Sequence, residues 1–349
     1  MVEIIEDKKL FKDHAKIVFD TREDSEERDK WLSMRSSSLG GSEIAKVAGY
    51  SKYGSALTVF NEKLGLSEKF KGNIHTQFGN RMEPHIREWV QEDFKKATGI
   101  ELKTYEYPFM MISKEYERFS ANIDGLAVTS QHFNYYENKD TGEIKQIAAG
   151  ELIGLEIKTA GEFLQKMWAG EEIPSEYYCQ CQWYMGVTGL KYFLIVYLLG
   201  KEVNWKVIPR HEDDIKALFQ IGKDFWENNI ETLTAPNPVG LEAETKDILY
   251  QQELQEDEVE VTGSNLIKYQ EVSENIKELE KEKERLKQEI FLEMGNAKKA
   301  IGGGFKLSRY TVSRDKTNLK LLKEKYPLTY QAILEGKTEY VNMRISKLK

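Results

Sequence analysis

Leu152-Ile153-Gly154-Leu155-Glu156-Ile157-Lys158 sets an acid and an amine into an otherwise apolar stretch. Side chains alternate sides along a strand, so Glu156 and Lys158 share one face and Ile157 points to the other. Charges embedded in such a strand are costly unless both find partners. The plain resolution is a surface ion pair on an edge strand. A second segment argues for more. Asp124 sits within Phe119-Ser120-Ala121-Asn122-Ile123-Asp124-Gly125-Leu126-Ala127-Val128, another apolar strand pattern, joined to the first through a hairpin. Asp124 beside Glu156 would concentrate negative charge that a divalent cation relieves, and hard oxygen ligands suit Mg²⁺ or Mn²⁺. Lys158 next to such an ion would orient or deprotonate an attacking water.

Working outward, strand patterns cover residues 102–112, 119–128, 150–159, 192–199 and 203–209, with 130–149 an extended hairpin loop. Short helices are expected at 42–47 and 56–64. A longer one is expected at 79–98, where Met82, Ile86, Trp89, Val90 and Phe94 keep helical spacing and Gly99 stops the run. Pro84 is tolerable there only in the first turn. Another helix opens at Pro174 and runs to about Val187, ended by Gly189. Strands, a helix, then strands describe a mixed α/β (α+β) core that ends near Pro236-Asn237-Pro238. The first twenty-nine residues are mostly charged and show little pattern. Two further segments flank the acids. Gly79-Asn80-Arg81-Met82-Glu83 places a carboxylate at the start of the long helix, and Gln180-Cys181-Gln182-Trp183-Tyr184 puts Gln180 and Tyr184 on one helical face.

At 349 residues with 40% apolar and 31% charged content, the chain is long enough for two domains and for a sizeable core. The longest apolar run, Tyr192–Leu199, is too short to span a bilayer, and the charged opening is not followed by an apolar stretch, so a cytoplasmic protein without membrane partners is expected. Cys179 and Cys181 are too close in sequence for an ordinary disulfide and too few for an iron–sulfur cluster. There is no Gly-x-Ser-x-Gly, no histidine pair at metal-ligand spacing and no phosphate loop, so ATP is not expected as a cofactor.

The net charge of −8 hides a reversal. Residues 241–293 hold 16 acids and 7 bases, whereas 297–349 hold 13 bases and 4 acids. In the first of these segments Tyr269, Ile276 and Ile290 fall at a positions of a heptad and Val272, Leu279 and Leu286 at d, with Lys283 the polar a residue. This predicts a long amphipathic helix or short coiled coil, with packing on its own core and self-association both open. Beyond Gly302-Gly303-Gly304, strands at 305–312 and 340–348 surround a helix at 316–334. The expected organisation is a charged segment 1–30, a core 31–238, a linker and amphipathic helix 239–296, and a basic module 297–349.

In order, Glu83, Asp124, Glu156-Ile157-Lys158 and Gln180…Tyr184 resemble the PD-(D/E)XK nuclease superfamily in its RecB-like branch. Within it the chain is most similar to the YqaJ-like viral recombinase (bacteriophage lambda exonuclease) family, through segments 31–35, 42–45, 79–84, 120–125, 154–159 and 177–185. The resemblance covers about residues 31–210. It implies a restriction-endonuclease-like core with a mixed central sheet flanked by helices. It also implies a 5′→3′ exonuclease on linear double-stranded DNA, leaving 3′ overhangs for a single-strand annealing protein, and a trimeric ring. By that likeness Asp124, Glu156 and the Ile157 carbonyl hold Mg²⁺ (Mn²⁺ substituting) and Glu83 completes or supports a second ion. Lys158 positions the water, Gln180 supports it with Tyr184 and Gln182 as further support, and Arg35 and Ser42 grip a 5′-phosphate. The same metal chemistry serves an endonuclease, and a non-catalytic DNA-binding scaffold is a third reading. The residues alone leave both open.

Overall fold

The eight apolar residues of Tyr192–Leu199 run unbroken because both faces of their strand are covered. Phe193, Ile195 and Tyr197 enter one core and Leu194, Val196 and Leu198 the other. The structure, a computed structural model, describes residues 3–22, 28–68, 72–138, 142–160, 173–249, 259–313 and 319–332. The chain divides into two units, Met1–Glu253 and Leu254–Lys349.

A mixed six-stranded sheet organises the first unit. In spatial order its strands are β1 (Glu3–Ile4), β3 (Leu102–Glu106), β6 (Gly125–Thr129), β9 (Ile153–Ala160), β10 (Tyr192–Leu199) and β11 (Glu202–Pro209). The pairs β1·β3 and β9·β10 are parallel and the others antiparallel. A three-stranded sheet adds β2 (Ala15–Asp20), β4 (Phe109–Ser113) and β5 (Ser120–Ala121), and β7 (Phe133–Asn138) forms a hairpin with β8 (Glu143–Ile147).

Helices cover both faces of the large sheet, the mixed α/β arrangement expected. On one side lies α4 (Ile74–Thr98), whose Ile86, Val90 and Phe94 are fully buried against Leu102, Ala127, Ile153, Leu155 and Val196. Burying each such side chain contributes about 1.5–3 kcal/mol. On the other side α2 (Gly41–Val47) packs on α5 (Ser175–Thr188), with α3 (Ala56–Leu64) and α6 (Glu212–Phe225) alongside, around Trp183, Phe119 and Phe219. Helix α1 (Arg28–Ser36) precedes them.

Several local expectations are corrected. The strand predicted at 102–112 is two strands in different sheets, interrupted at Tyr107-Pro108, because proline has no N–H to give a ladder. The one predicted at 119–128 also breaks, leaving Asn122, Ile123 and Asp124 between β5 and β6. Helix α4 starts five residues earlier than expected, because Asn73 caps it through Oδ1 accepting the Thr76 N–H at 2.9 Å. Pro84 therefore lies mid-helix rather than in the first turn, and the Asn80 carbonyl loses its usual helical donor. The first twenty-nine residues are less featureless than they read, since β1 and β2 pair with β3 and β4.

Beyond Pro238, where the sequence pattern ends the core, α7 (Glu242–Leu249) remains in the first unit. Glu244 is buried there, accepting the Ser55 hydroxyl at 2.6 Å and the N–H groups of Val239, Gly240 and Leu241. Ser55 is itself the N-cap of α3, so one carboxylate closes this segment onto that helix.

In the second unit α8 (Gly263–Met294) is a 32-residue helix extending the predicted heptad at both ends. The strand expected at 305–312 is a hairpin of β12 (Lys299–Gly302) and β13 (Phe305–Ser308), turned by Gly303 and Gly304 at positive φ. The helix expected at 316–334 is divided at Pro327 into α9 (Leu319–Lys325) and α10 (Pro327–Ala332). The strand expected at 340–348 lies outside the described residues.

Candidate active site

Strand β9 gives its two faces to different surroundings. Ile153, Leu155 and Ile157 join the core under α4, and Gly154, Glu156 and Lys158 turn to the side of α5. Gly154 is required there, because a Cβ would lie 2.4 Å from the Phe193 ring. Pairing of β6 with β9 sets Gly125 opposite Leu155, so Asp124 falls one residue beyond the ladder. Its side chain takes over where the strand stops, with Oδ2 accepting the Ile157 N–H at 2.7 Å. The break in the predicted strand is thus what frees Asp124 and fixes its carboxylate against β9.

Glu156 is 1% exposed. Its Oε1 lies 2.5 Å from Lys158 Nζ and accepts from Gln180 Nε2 at 2.7 Å, and Gln180 also donates to the Tyr184 hydroxyl at 3.1 Å. Glu156 Oε2 is buried with no hydrogen-bond partner among the described residues. Glu83, on α4, pairs with Arg87 one helical turn on. A cleft of about 370 Å³ is lined by Glu83, Asp124, Glu156, Ile157, Lys158 and Gln180, with Tyr184, Arg35 and Ser42 on the same wall set.

Burial and mutual repulsion dominate the electrostatics. Burial, reinforced by the Asp124 charge and opposed by Lys158, pushes the Glu156 carboxyl up to about 8. Glu83 rises to about 7 through burial and Asp124, against the pull of Arg87. Asp124 is raised by burial despite Lys158, the Ile157 N–H and Arg87. For Lys158 burial works downward, yet the charges of Glu156 and Asp124 outweigh it and hold the ammonium protonated more firmly than usual. Carboxylates raised together in one cleft are the signature of a place where positive charge is wanted.

The donor set fits a divalent cation. It consists of hard oxygens, and the buried Oε2 of Glu156 has lone pairs that no group among the described residues satisfies. Among the described residues no three acidic, histidine or cysteine side chains converge to ligand distance. Each acid instead rests on its own donor: Asp124 on the Ile157 N–H, Glu156 on Lys158 and Gln180, Glu83 on Arg87.

Arg35 and Ser42 also line the cleft. The Arg35 guanidinium lies 4.9 Å from the Trp31 ring centroid, and Ser42 is exposed in the first turn of α2. Gly41, between Gly40 and Ser42, admits no side chain because a Cβ would sit 2.5 Å from the Tyr184 ring. Gln182 is corrected. It lies outside the cleft, donating to the Pro209 carbonyl at 2.8 Å and accepting the His211 N–H at 3.0 Å. Two residues along a helix rotate a side chain by about 200°, so Gln180 and Gln182 face opposite ways. Glu83 is also not at the start of its helix, since α4 begins at Ile74.

Sequence reasoning missed three charged residues. Arg87 is 2% exposed and donates to the Asp124 carbonyl as well as to Glu83; its only sequence signal is the four-residue spacing from Glu83. Lys63 donates to both oxygens of Glu43, at 2.7 and 2.8 Å, and to the Arg35 carbonyl at 2.6 Å. Glu43 in turn accepts the Gly40 N–H at 2.9 Å, so a buried ion pair ties the residues around Arg35 and Ser42 to α3. Glu43 is legible as the third residue of a helix opening; nothing in the sequence marks Lys63.

Residues 30–191 match the family model of the YqaJ-like viral recombinase domain. Protein YqaJ of Bacillus subtilis (strain 168) is 25% identical over 317 residues, 88% of this chain and 90% of its own. That span is too long to be confined to the first unit and reaches into the second. An alkaline exonuclease from Laribacter hongkongensis is 20% identical, covering 59% of this chain and 95% of its own with a TM-score of 0.41. A phage-related exonuclease from Haemophilus somnus 129PT is 15% identical, covering 56% and 96%, with a TM-score of 0.34.

Proposed function

From the premise that the chain carries a YqaJ-like viral recombinase domain over residues 30–191, we propose that it is a nuclease of the phage recombinase kind. More specifically, it is a divalent-metal-dependent 5′→3′ exonuclease on linear double-stranded DNA. The 3′ overhang it leaves is the substrate of a single-strand annealing protein, and the working form is a homo-oligomeric ring, a trimer, in the cytoplasm. The observation that carries this reading is the cleft in which Asp124, Glu156 and Lys158 meet, with one Glu156 oxygen unsatisfied among the described residues. Among the described residues no helix is long and apolar enough to cross a membrane.

Asp124, Glu156 and the Ile157 carbonyl would hold Mg²⁺, with Mn²⁺ substituting and Glu83 completing the shell or supporting a second ion. When bound, the cation supplies Lewis-acid stabilisation of the charge that develops on the scissile phosphate. Lys158, its proton held by the two carboxylates, acts as a hydrogen-bond donor that orients the attacking water rather than as a base. Gln180 keeps Glu156 Oε1 turned toward Lys158, and Tyr184 keeps Gln180 in place. Arg35 forks onto the 5′-phosphate with Ser42 beside it, which sets the direction of digestion by trapping that end. Lys63 and Glu43 tie the segment that carries Arg35 and Ser42 to α3.

The test is nucleotide release from 5′-phosphorylated linear duplex with Mg²⁺, beside closed-circular plasmid. Release from linear DNA with the circle intact is expected. Loss of the circle would transfer the protein to the endonuclease reading, and no hydrolysis of either would leave it a DNA-binding scaffold. Arg35→Ala should abolish the preference for phosphorylated over hydroxyl ends, because only the former presents a dianion. An unchanged preference would reassign Arg35.

A further inference from the structure

Arg87 has the burial of a core residue and the bonding of a site residue. Its guanidinium is 2% exposed on α4, a helix whose neighbours on this side, Ile86, Val90 and Phe94, are apolar and fully buried. A buried arginine is costly unless its donors are used. Arg87 leaves Nε without a hydrogen-bond partner among the described residues, so the guanidinium is held through its terminal nitrogens. Here Nη2 reaches two acceptors at once, the Glu83 carboxylate and, at 2.6 Å, the main-chain carbonyl of Asp124. Nη1 stands 3.8 Å from Glu106 at the end of β3. Thr104, also on β3, anchors the residue from behind by donating to the Arg87 carbonyl at 2.8 Å.

The neighbouring glycine belongs to the same arrangement. At Gly125 a Cβ would lie 2.4 Å from the Tyr105 carbonyl and 3.2 Å from Arg87 Nε. The absence of a side chain after Asp124 is what lets the guanidinium pass between β3 and the end of β6. Asp124 is thereby held twice, through Oδ2 by the Ile157 N–H and through its peptide carbonyl by Arg87. Without the second bond the carboxylate would hang on a three-residue break between β5 and β6, free to rotate about one contact.

We infer that Arg87 is the positioning residue of the acidic cluster, setting Asp124 by its main chain and Glu83 by its carboxylate so that both present oxygens to the cation-binding cleft. This inference rests on the reading of the cleft as a metal-dependent nuclease site. It adds a residue that touches neither DNA nor cation and acts through two that would. A planar fork with several fixed N–H vectors suits that task, whereas a lysine ammonium offers one point charge. Partners that orient metal-binding side chains typically change metal affinity or activity by about 10–100-fold when removed.

The experiment measures Mn²⁺ binding to the full-length, DNA-free protein by calorimetry, together with thermal melting and Mg²⁺-dependent hydrolysis of linear duplex. Arg87→Lys keeps the charge and should weaken Mn²⁺ binding at least about tenfold and raise the Mg²⁺ concentration for half-maximal hydrolysis in step. Its affinity for duplex DNA measured without divalent cation should be unchanged. If Arg87→Lys does not fold, Glu83→Gln is compared with Glu83→Gln/Arg87→Met, which strands no buried charge. The double variant should then bind Mn²⁺ more weakly than the single one, because Asp124 has lost its second hold. Equal Mn²⁺ affinity in whichever of these pairs folds would overturn the inference and leave Arg87 a packing residue. If the unaltered protein binds no Mn²⁺ and hydrolyses nothing, the nuclease reading fails first, and the two failures are thereby separated.

Discussion

In α4 the apolar stripe of Ile86, Val90 and Phe94 is wholly buried, whereas in α8 Ile276, Leu279 and Ile290 are 50%, 68% and 43% exposed. Both helices carry apolar residues at helical spacing in a background of Glu and Lys, and both were expected from that spacing. The pitch of the pattern says that an apolar face exists. What covers it depends on whether a surface of matching shape is brought against it, and for α4 the sheet does so. The helices differ in a second way. The buried side of α4 also carries Arg87, with Glu83 one turn away, charged residues that a helix stabilised by packing alone would not place there.

The proposed reading puts the chemistry in the first unit, beside the covered helix, and the largest test of it is Lys158→Ala. Hydrolysis of linear duplex should fall by about 10²–10⁴-fold with the melting temperature little changed, as for loss of a group that orients a reacting water. Undiminished hydrolysis would detach the cleft from the activity. Next, Phe94→Ala in α4 should cost about 3–5 kcal/mol in chemical denaturation. The matching truncation in α8, Leu279→Ala, should stay within about 0.5 kcal/mol in dilute protein. A large loss at Leu279 would mean that the exposed stripe has a partner in solution, and the two helices would cease to contrast.

A smaller effect is expected at the C-terminal end of the first unit. Burial raises the Glu244 carboxyl, but the Ser55 hydroxyl and the N–H groups of Val239, Leu241 and Gly240 outweigh it and leave its pKa below the ordinary value. A carboxyl depressed by folding adds stability that is complete above its unfolded pKa and disappears as pH falls through the folded one. Glu244→Gln should therefore cost about 1–3 kcal/mol near neutrality and flatten the acid limb of a stability-against-pH curve. A parallel downward shift with the acid limb unchanged would show that the charge itself contributes nothing. For the same reason, a chain cut before residue 240 should be less stable than one cut after Leu249.

Much of this was legible because it depends on short range. Glu156-Ile157-Lys158 is decided by alternation within one strand, and the Ala56–Leu64 helix by its own flanking Ser55 and Gly65. The sequence errors share a cause as well. Residues 102–112 look like one strand because every residue but Pro108 suits one, and only the second sheet reveals where the chain had to turn. Pro84 looked like a first-turn residue because the capping Asn73 lies before the apolar spacing begins. Gln182 was expected as further support of the site, but helical rotation sends it to Pro209 and His211.

By itself, then, the amino-acid order determined which residue types had to be dealt with: two acids and an amine in apolar segments, a helix with one apolar face, a long heptad run. Those are consequences of backbone periodicity and of the cost of burying charge, and both act within a few residues. Only the tertiary structure decided how that cost was met. Asp124 reaches the Ile157 N–H because two strands thirty residues apart in sequence pair with one residue left over, and Arg87 reaches the Asp124 carbonyl because Gly125 leaves it room. Hydrogen bonds extend only about 3 Å, so which distant groups come within reach is settled by packing and register, not by the identity of either partner.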